Sequence, residues 1–418
     1  MAQRHERSFL KGAAILAAAA IIAKIVGALF KLPLYNLLGT DGTAHFNKTY
    51  QIYTLLLAIS YSGIPVALSR LISASRETGN TRQTARYFKV ALPAFALVGA
   101  VTSAVMFLFA PQLAAFMKDP QATTGIRVLS PAVFLCCVLS VYEGFAQGHE
   151  DMLPTAIKQL LEVFCKLLFG MAAAIILLRQ GKSPETTAAG AITGVVVGLL
   201  ISLPVLMHYK LKKSALERAS GTAKSVSDTL LAIFRVSVPV TLGASFMSIL
   251  TLLDSRLVSM RLEASGLTFD AAINKFGIYS QCQVVFNLPA SLVAPVTVSI
   301  IPAISAAVAG RRRDEARGIT ESAMKLICLI AMPAAVGISA LSGPIFRAFY
   351  GVSENSADGA RVLAILGAAS FFVCSQLLTT SVLQANGHER VPMLTYLAGG
   401  IVQLALDYVL VGDARIGI

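Results

Sequence analysis

Residues 186–209 read TTAAGAITGVVVGLLISLPVLMHY, a run of apolar and small residues without a single Asp, Glu, Lys or Arg. About 20 such residues are needed for an α-helix to cross the hydrocarbon core of a bilayer. Lipid offers the backbone no hydrogen-bond partners, so a segment of this kind must be helical. The stretch therefore predicts a membrane-spanning helix.

The same pattern recurs along the chain. The eleven predicted spans cover residues 9–34, 46–69, 89–113, 126–147, 154–178, 186–209, 228–253, 276–308, 319–346, 359–385 and 391–412. Of the 418 residues, 56% are hydrophobic and only 14% are charged, and the mean hydropathy is +0.70. These values exclude a disordered chain and a soluble domain, in which about a quarter of the residues are charged. The predicted fold class is an all-α polytopic membrane protein.

Basic residues concentrate in alternate connecting segments. The N-terminus and the second, sixth and eighth loops carry Arg4, Arg7, Lys11, Arg70, Arg76, Arg82, Arg86, Lys89, Lys210, Lys212, Lys213, Arg218, Lys224, Arg311, Arg312, Arg313 and Arg317. The odd-numbered loops hold about half as many, which predicts a cytoplasmic N-terminus. The net charge of +13 therefore indicates membrane topology, and we expect no nucleic-acid partner.

No pattern typical of catalysis or metal binding is present. The six cysteines all lie in apolar runs without a C-x-x-C pair, so no disulfide framework or zinc site is indicated. The five histidines are dispersed, and H-E-x-x-H and G-x-S-x-G are absent. We expect neither an enzyme nor a cofactor or metal site.

An internal repeat organises the chain. Gly148-His149-Glu150 recurs as Gly387-His388-Glu389, about half the chain later, and two further matches recur in the same order at a similar offset. The spans then form two parallel six-helix repeats: an N-terminal lobe (1–212), a cytoplasmic linker (213–226) and a C-terminal lobe (227–418). Because the second lobe holds five spans, we expect its last helix or helices to be missing from this chain.

Two parallel helical repeats are typical of transporters, with the substrate between them near the bilayer midplane. Lys24, Gly27 and Lys31 share one face of the first span. A lysine at membrane depth is costly unless it faces a cavity or a partner, so this face is a candidate substrate site. The alternative for Lys31 is a place near the outer end, from which it extends to the interface.

The fifth span carries a ladder of alternating charges. Lys158, Glu162 and Lys166 follow at four-residue spacing, which places them on one helix face. One interpretation is a self-neutralising set that lets the helix insert. The other is a polar stripe along a substrate cavity, with Glu162 and Lys166 as binding residues.

Three further charged residues lie within predicted spans. Arg235 lies one turn inside the cytoplasmic end of the seventh span, where it is a cavity candidate or extends to the interface. Glu143 lies late in the fourth span and Asp407 in the eleventh. We assign no role to these two acidic residues at this point.

Several motifs resemble one known group. They are Lys11-Gly12-Ala13-Ala14-Ile15-Leu16, Lys24-x-x-Gly27, Leu38-Gly39-Thr40-Asp41-Gly42, Gly63-Ile64-Pro65-Val66-Ala67-Leu68-Ser69-Arg70, Pro154-Thr155-Ala156-Ile157, Gln159-x-x-Glu162, Leu253-Asp254-Ser255-Arg256 and Asn287-Leu288-Pro289. Spread over almost the whole chain, they resemble the stage V sporulation protein B branch of the MOP flippase superfamily, which also contains MATE exporters, polysaccharide transporters and lipid II flippases.

The resemblance implies a two-lobed helical bundle with a V-shaped central cavity in the bacterial cytoplasmic membrane. Members move undecaprenyl-pyrophosphate-linked saccharides from the inner to the outer leaflet, and Lys24 to Gly27 matches their basic-x-x-Gly motif. Phe30-Lys31 stands where lipid II flippases continue with Arg-Asp, so their second cavity arginine is not carried over, and Glu143 stands where the sporulation branch has arginine. The implied partners are a polyprenyl-pyrophosphate-linked glycan, membrane lipids and a coupling cation, and a monomer is expected.

Two other functions remain open at the level of sequence. A cation-coupled multidrug exporter of the same superfamily favours acidic cavity residues, which Glu143 and Asp407 supply. A non-transporting scaffold of cell-wall assembly needs no cavity charge at all. The lysines of the first span favour the flippase over both.

Overall fold

The computed structural model describes residues 2–216, 220–309, 311–352, 354–386, 388 and 390–411, and within these ranges it contains helices and no strands. The helices are α1 (Ala2–Tyr61), α2 (Gly63–Glu77), α3 (Thr81–Leu108), α4 (Ala110–Phe116), α5 (Thr123–Gly148), α6 (Leu153–Cys165), α7 (Met171–Arg179), α8 (Pro184–Leu216), α9 (Val226–Ala264), α10 (Phe269–Phe286), α11 (Leu288–Ala309), α12 (Arg313–Ala340), α13 (Ser342–Tyr350), α14 (Ser356–Ala385) and α15 (Arg390–Leu410). A 3₁₀ turn (Pro120–Ala122) precedes α5, and a π-helical segment (Lys166–Gly170) joins α6 to α7. The predicted all-α class is confirmed.

Two local breaks shape the N-terminal helices. Within α1, Gly39 has φ 68° and ψ −171°, a backbone conformation that favours glycine and separates the first predicted span from the second. The second span is itself interrupted at Ser62, between α1 and α2. Pro65 has no N–H to donate to the carbonyl of Tyr61, so the helix cannot continue unbroken there.

Eight helical segments of the described chain are long and apolar enough to cross a membrane. They are Leu29–Glu77, Thr81–Leu108, Pro120–Gly148, Leu153–Arg179, Pro184–Ala215, Val226–Ala264, Arg313–Ala340 and Ser356–Ala385. Each overlaps a predicted span. The three other predicted spans are the first, whose side chains are described only in part, the eighth, which is divided into α10 and α11, and the eleventh, which is a shorter apolar helix, Leu394–Leu410. The chain is a multi-pass membrane protein.

The chain forms two compact units. The first comprises Met1–Val26 and His45–Arg256, and the second comprises Gly27–Ala44 and Leu257–Ile418. In the first unit, α5 is the central helix and packs against α2, α3 and α8. Its apolar residues surround the whole helix, as expected for a helix that is covered on every side. The parallel repeat and the lobe boundaries at 212 and 227 stay predictions.

In the second unit, α14 is central and packs against α10, α11, α12 and α13. Its core includes Val293, Ile327 and Leu378, all fully buried. The segment Gly27–Ala44 is attached to α10, where Asn274 Nδ2 donates a hydrogen bond of 2.6 Å to Thr40 Oγ1.

A stripe of glycines on α8 lets two helices of the first unit approach closely. A Cβ atom at Gly194 would lie 2.6 Å from the backbone nitrogen of Gly170, and one at Gly198 would lie 3.0 Å from Glu162 Cα. Backbone therefore packs directly on backbone, which is the packing role that small residues at four-residue spacing indicate. The stripe positions the segment that carries the charge ladder.

Replacing Gly194 with alanine is expected to destabilise the protein by about 1 to 3 kcal/mol, because the added methyl group overpacks a backbone contact that cannot yield. The measurement is the Tm of the purified protein in detergent. The matched control is Gly243→Ala in α9, where no heavy atom lies within 4 Å of the added methyl group. Equal Tm values for the two variants would contradict the packing assigned to Gly194.

Candidate functional site

The charge ladder of the fifth span is formed by α6 and the first residue of the π-helical segment. The Glu162 carboxylate lies between two lysines, with Oε1 2.9 Å from Lys166 Nζ and Oε2 3.5 Å from Lys158 Nζ. These are the two ion pairs that the four-residue spacing predicts. Both pairs lie inside a segment fit to span a membrane, Leu153–Arg179.

A second carboxylate extends the ladder from the neighbouring helix. Glu143 on α5 places Oε1 3.0 Å from Lys158 Nζ, and the side chains of Glu143 and Lys158 are only 3% and 7% exposed. The Tyr61 hydroxyl donates a hydrogen bond of 2.6 Å to Glu143 Oε2. Glu143 therefore belongs to the same site as Glu162, a pairing that the sequence alone did not predict. The signal was available, because an acidic residue inside an apolar span needs a partner.

Two tyrosines of α1, Tyr50 and Tyr61, contact the lysines of the ladder. Lys166 Nζ donates a hydrogen bond of 3.1 Å to Tyr50 Oη. Each lysine also faces an aromatic ring, with Lys158 Nζ 5.6 Å from the centre of Tyr61 and Lys166 Nζ 5.6 Å from that of Tyr50. A ring face attracts a cation, most strongly where water is excluded.

We call Tyr61, Glu143, Lys158, Glu162, Lys166 and Tyr50 the charge network. Its two lysines and two glutamates alternate, so the formal charges cancel. An isolated charge in the hydrocarbon region costs several kcal/mol, whereas here every charge touches one of opposite sign. The network is neutral as a whole, yet it offers two cations to an anion that can replace a carboxylate.

The π-helical segment begins at Lys166, the last residue of the ladder. An i→i+5 turn is rare and is frequent at functional sites, because it widens the helix and changes the direction of a side chain. Gly170 ends this segment, and α8 packs on it through Gly194. The position of the Lys166 ammonium group therefore depends on a locally irregular backbone.

The other predicted site residues have different positions. Glu162 and Lys166 are brought together, as described above. The side chain of Lys24 lies outside the described residues. Gly27 is half-buried, and Lys31 and Arg235 are exposed. The predicted roles of Lys24, Gly27, Lys31 and Arg235 stay predictions.

Metal binding has no candidate in the described chain, since no group of three or more His, Cys, Asp or Glu side chains is arranged to hold an ion there. All six cysteines are free thiols.

The sequence matches two protein families. The family described as polysaccharide biosynthesis protein matches residues 9–308, and the family described as MatE matches residues 275–409. The first match covers most of the chain and includes the complete charge network.

Two relatives from Bacillus subtilis (strain 168) align over nearly the whole chain. The lipid II flippase MurJ is 24% identical over 96% of this chain and 77% of its own length. Stage V sporulation protein B is 26% identical over 99% of this chain and 80% of its own length.

A solved structure shares the fold. It is the inward-facing conformation of a multidrug resistance MATE family transporter of the MOP superfamily, with a TM-score of 0.73 over 95% of this chain and 92% of that chain, at 15% identity. The matched families, the relatives and this fold agree with one another. The chain belongs to the polysaccharide biosynthesis protein family.

Proposed function

We propose that the protein is a flippase that translocates an undecaprenyl-pyrophosphate-linked saccharide from the inner to the outer leaflet of the cytoplasmic membrane by alternating access. Its N-terminus lies in the cytoplasm. The family and the names of the relatives support a lipid-linked saccharide as the substrate class. The observation that carries the proposal is the charge network, because buried ionisable groups in a span mark the path of a polar substrate.

A diphosphate fits this network by exchanging partners. It carries about two negative charges, and phosphate oxygens accept strong hydrogen bonds from ammonium groups in a medium of low dielectric constant. When the diphosphate replaces Glu162 beside Lys158 and Lys166, both lysines stay paired. The lysines therefore keep a counter-charge in both states.

The remaining cations extend the same path in this proposal. Lys24 and Lys31 attract the headgroup along the first span, Gly27 leaves room beside them, and Arg235 holds the approaching anion. The prenyl tail stays in the lipid while the headgroup crosses. The membrane potential supplies about 2.3 kcal/mol per elementary charge for each 100 mV, or a coupling cation resets the protein, so no nucleotide is required.

A second candidate function is a cation-coupled multidrug exporter, and one observation favours it. Asp407 Oδ2 is buried and has no hydrogen-bond partner among the described residues. A buried carboxylate without a partner is stabilised by binding a proton or an organic cation. The two functions differ in the charge of the cargo, so transport of a cationic dye without transport of the lipid-linked saccharide would favour the exporter.

The experiment is expression of the gene in bacteria depleted of their own lipid II flippase, with lipid II on the outer leaflet as the readout. We expect exposure to be restored by the wild-type protein and lost in Lys24→Ala, with Lys182→Ala, on an exposed loop, as the matched control. Full exposure in Lys24→Ala would remove this residue from the path. Full activity after loss of the network charges would favour a scaffold without transport.

A further inference from the structure

A basic pocket lies at the start of α3 in the first unit. It has a volume of about 350 Å³, and its wall includes Arg82, Arg86, Lys89, Phe145 and Ser214. The second and sixth connecting segments, both basic and both predicted to be cytoplasmic, meet here. Neither the family match nor the proposed translocation path assigns a role to this pocket.

Three cations point to the pocket from one helix. Arg82, Arg86 and Lys89 follow in α3 at spacings of four and three residues, which places them within about 60° of one another around the helix axis. Arg82 and Lys89 are exposed, and Arg86 is half-buried. In the part of the chain that the structure describes, none of the three takes part in a salt bridge. Their charge is therefore available to a ligand.

The connecting segment before α9 fixes the floor of the pocket. Asn80 Nδ2 donates to the carbonyl of Thr222 at 2.8 Å, and the backbone N–H of Lys224 donates to Gln83 Oε1 at 2.7 Å. Gly221 approaches Asn80 with φ +82°, a conformation and a spacing that leave no room for a side chain. The segment is thus held against the start of α3 by specific bonds.

The same bonds decide which groups can bind an anion. The backbone N–H of Arg82 donates to the carbonyl of Ser220 at 3.0 Å, and that of Gln83 donates to Asn80 Oδ1 at 3.1 Å. The amide groups at the start of α3 are therefore occupied. Arg86 Nε donates to the carbonyl of Lys224 at 3.3 Å, which holds this guanidinium in place while its other nitrogens stay available. The side-chain cations, not the helix terminus, provide the binding groups.

An apolar wall faces the cations. Phe145 lines the pocket, and its ring packs edge-to-face on Phe88 with the ring centres 5.4 Å apart. A fourth cation, Lys210, lies with its ammonium group 4.7 Å from the centre of the Phe88 ring. The cations can bind a phosphate group, and the aromatic rings can contact an apolar chain that is attached to it.

We propose that this pocket binds the phosphate headgroup of an anionic lipid at the cytoplasmic surface. The inference does not depend on the proposed function, because either a resident phospholipid or a polyprenyl diphosphate supplies the same chemistry. Arginine binds phosphate through two parallel hydrogen bonds, which gives this pocket a contact that scattered surface cations lack.

The test is lipid binding to the purified full chain, measured by native mass spectrometry with phosphatidylglycerol, undecaprenyl pyrophosphate or phosphatidylcholine added. The variant Arg82→Gln/Lys89→Gln removes two cations and keeps the bond from Arg86 to Lys224. The matched control, Arg311→Gln/Arg313→Gln, removes two exposed cations from the eighth connecting segment. We expect at least about tenfold weaker binding of an anionic lipid in the first variant, because hydrogen bonds to the phosphate are lost, and unchanged binding in the control.

A charge-preserving variant distinguishes weaker lipid binding caused by lost charge from weaker binding caused by a disrupted fold. Arg82→Lys/Lys89→Arg is expected to bind anionic lipid within about threefold of the wild type, since it keeps the charge count and leaves one guanidinium of the exchanged pair beside Arg86. Equal binding of phosphatidylcholine, equal loss in the control, or loss in the charge-preserving variant would overturn the proposal. Preference for phosphatidylglycerol identifies a resident phospholipid, and preference for undecaprenyl pyrophosphate identifies the transported lipid; both support a phosphate site.

Discussion

Replacing Lys158 with methionine is expected to lower the free energy of unfolding by about 3 to 5 kcal/mol, because the change leaves a buried carboxylate without its cation. Lys158 Nζ lies 3.0 Å from Glu143 Oε1, and both side chains are almost completely buried. Methionine fills a similar volume, so the loss comes from the charge and not from a cavity. The measurement is equilibrium unfolding of the purified protein in detergent.

The control for this prediction removes both charges together. The double variant Lys158→Met/Glu143→Gln leaves no unpaired ion, and Tyr61 still has an oxygen at residue 143 to which it can donate a hydrogen bond. We expect most of the lost stability to return, which would appear as a large coupling free energy in a double-mutant cycle. A double variant as unstable as Lys158→Met would show that the pair does not stabilise the network as assigned.

Replacing Lys166 with glutamine is expected to slow the transfer of an undecaprenyl-pyrophosphate-linked saccharide by about 10- to 100-fold, the range for losing one hydrogen bond between charged groups. Lys166 Nζ lies 2.9 Å from Glu162 Oε1. In the proposed path, the diphosphate replaces Glu162 as the partner of this lysine. The measurement is transfer in proteoliposomes at equal amounts of inserted protein.

Two variants test whether this loss belongs to binding or to folding. Lys166→Arg keeps the charge and should retain most of the transfer rate. Lys166→Gln/Glu162→Gln keeps the network neutral and should fold like the wild type but transfer as slowly as Lys166→Gln. If this double variant transfers at the wild-type rate, the lysine has no direct part in moving the headgroup.

Hydropathy in the sequence was sufficient to predict the helices, because membrane spans need long apolar runs whatever they pack against. The ladder of Lys158, Glu162 and Lys166 was equally accessible, since helical spacing alone brings these side chains together. The close packing at Gly194 agrees with the same periodicity, since small residues at four-residue spacing lie on one helix face.

Other features depend on tertiary contacts that periodicity does not encode. The partner of Glu143 comes from a different helix, so its pairing with Lys158 requires knowing how α5 meets α6. The π-helical turn at Lys166 is set by packing against α8 and has no sequence signature of its own. The network as a whole is neutral, because its second carboxylate, Glu143, lies on a different helix from the ladder.

The central claim is that the protein moves a diphosphate-linked saccharide across the bilayer. The most direct test is the rate at which a labelled undecaprenyl-pyrophosphate-linked saccharide changes leaflet in proteoliposomes, compared with a polyprenyl glycoside that lacks the diphosphate. The account predicts transfer of the first lipid well above that in protein-free vesicles and no acceleration of the second. Equal rates for both lipids, or no acceleration by folded and inserted protein, would contradict it.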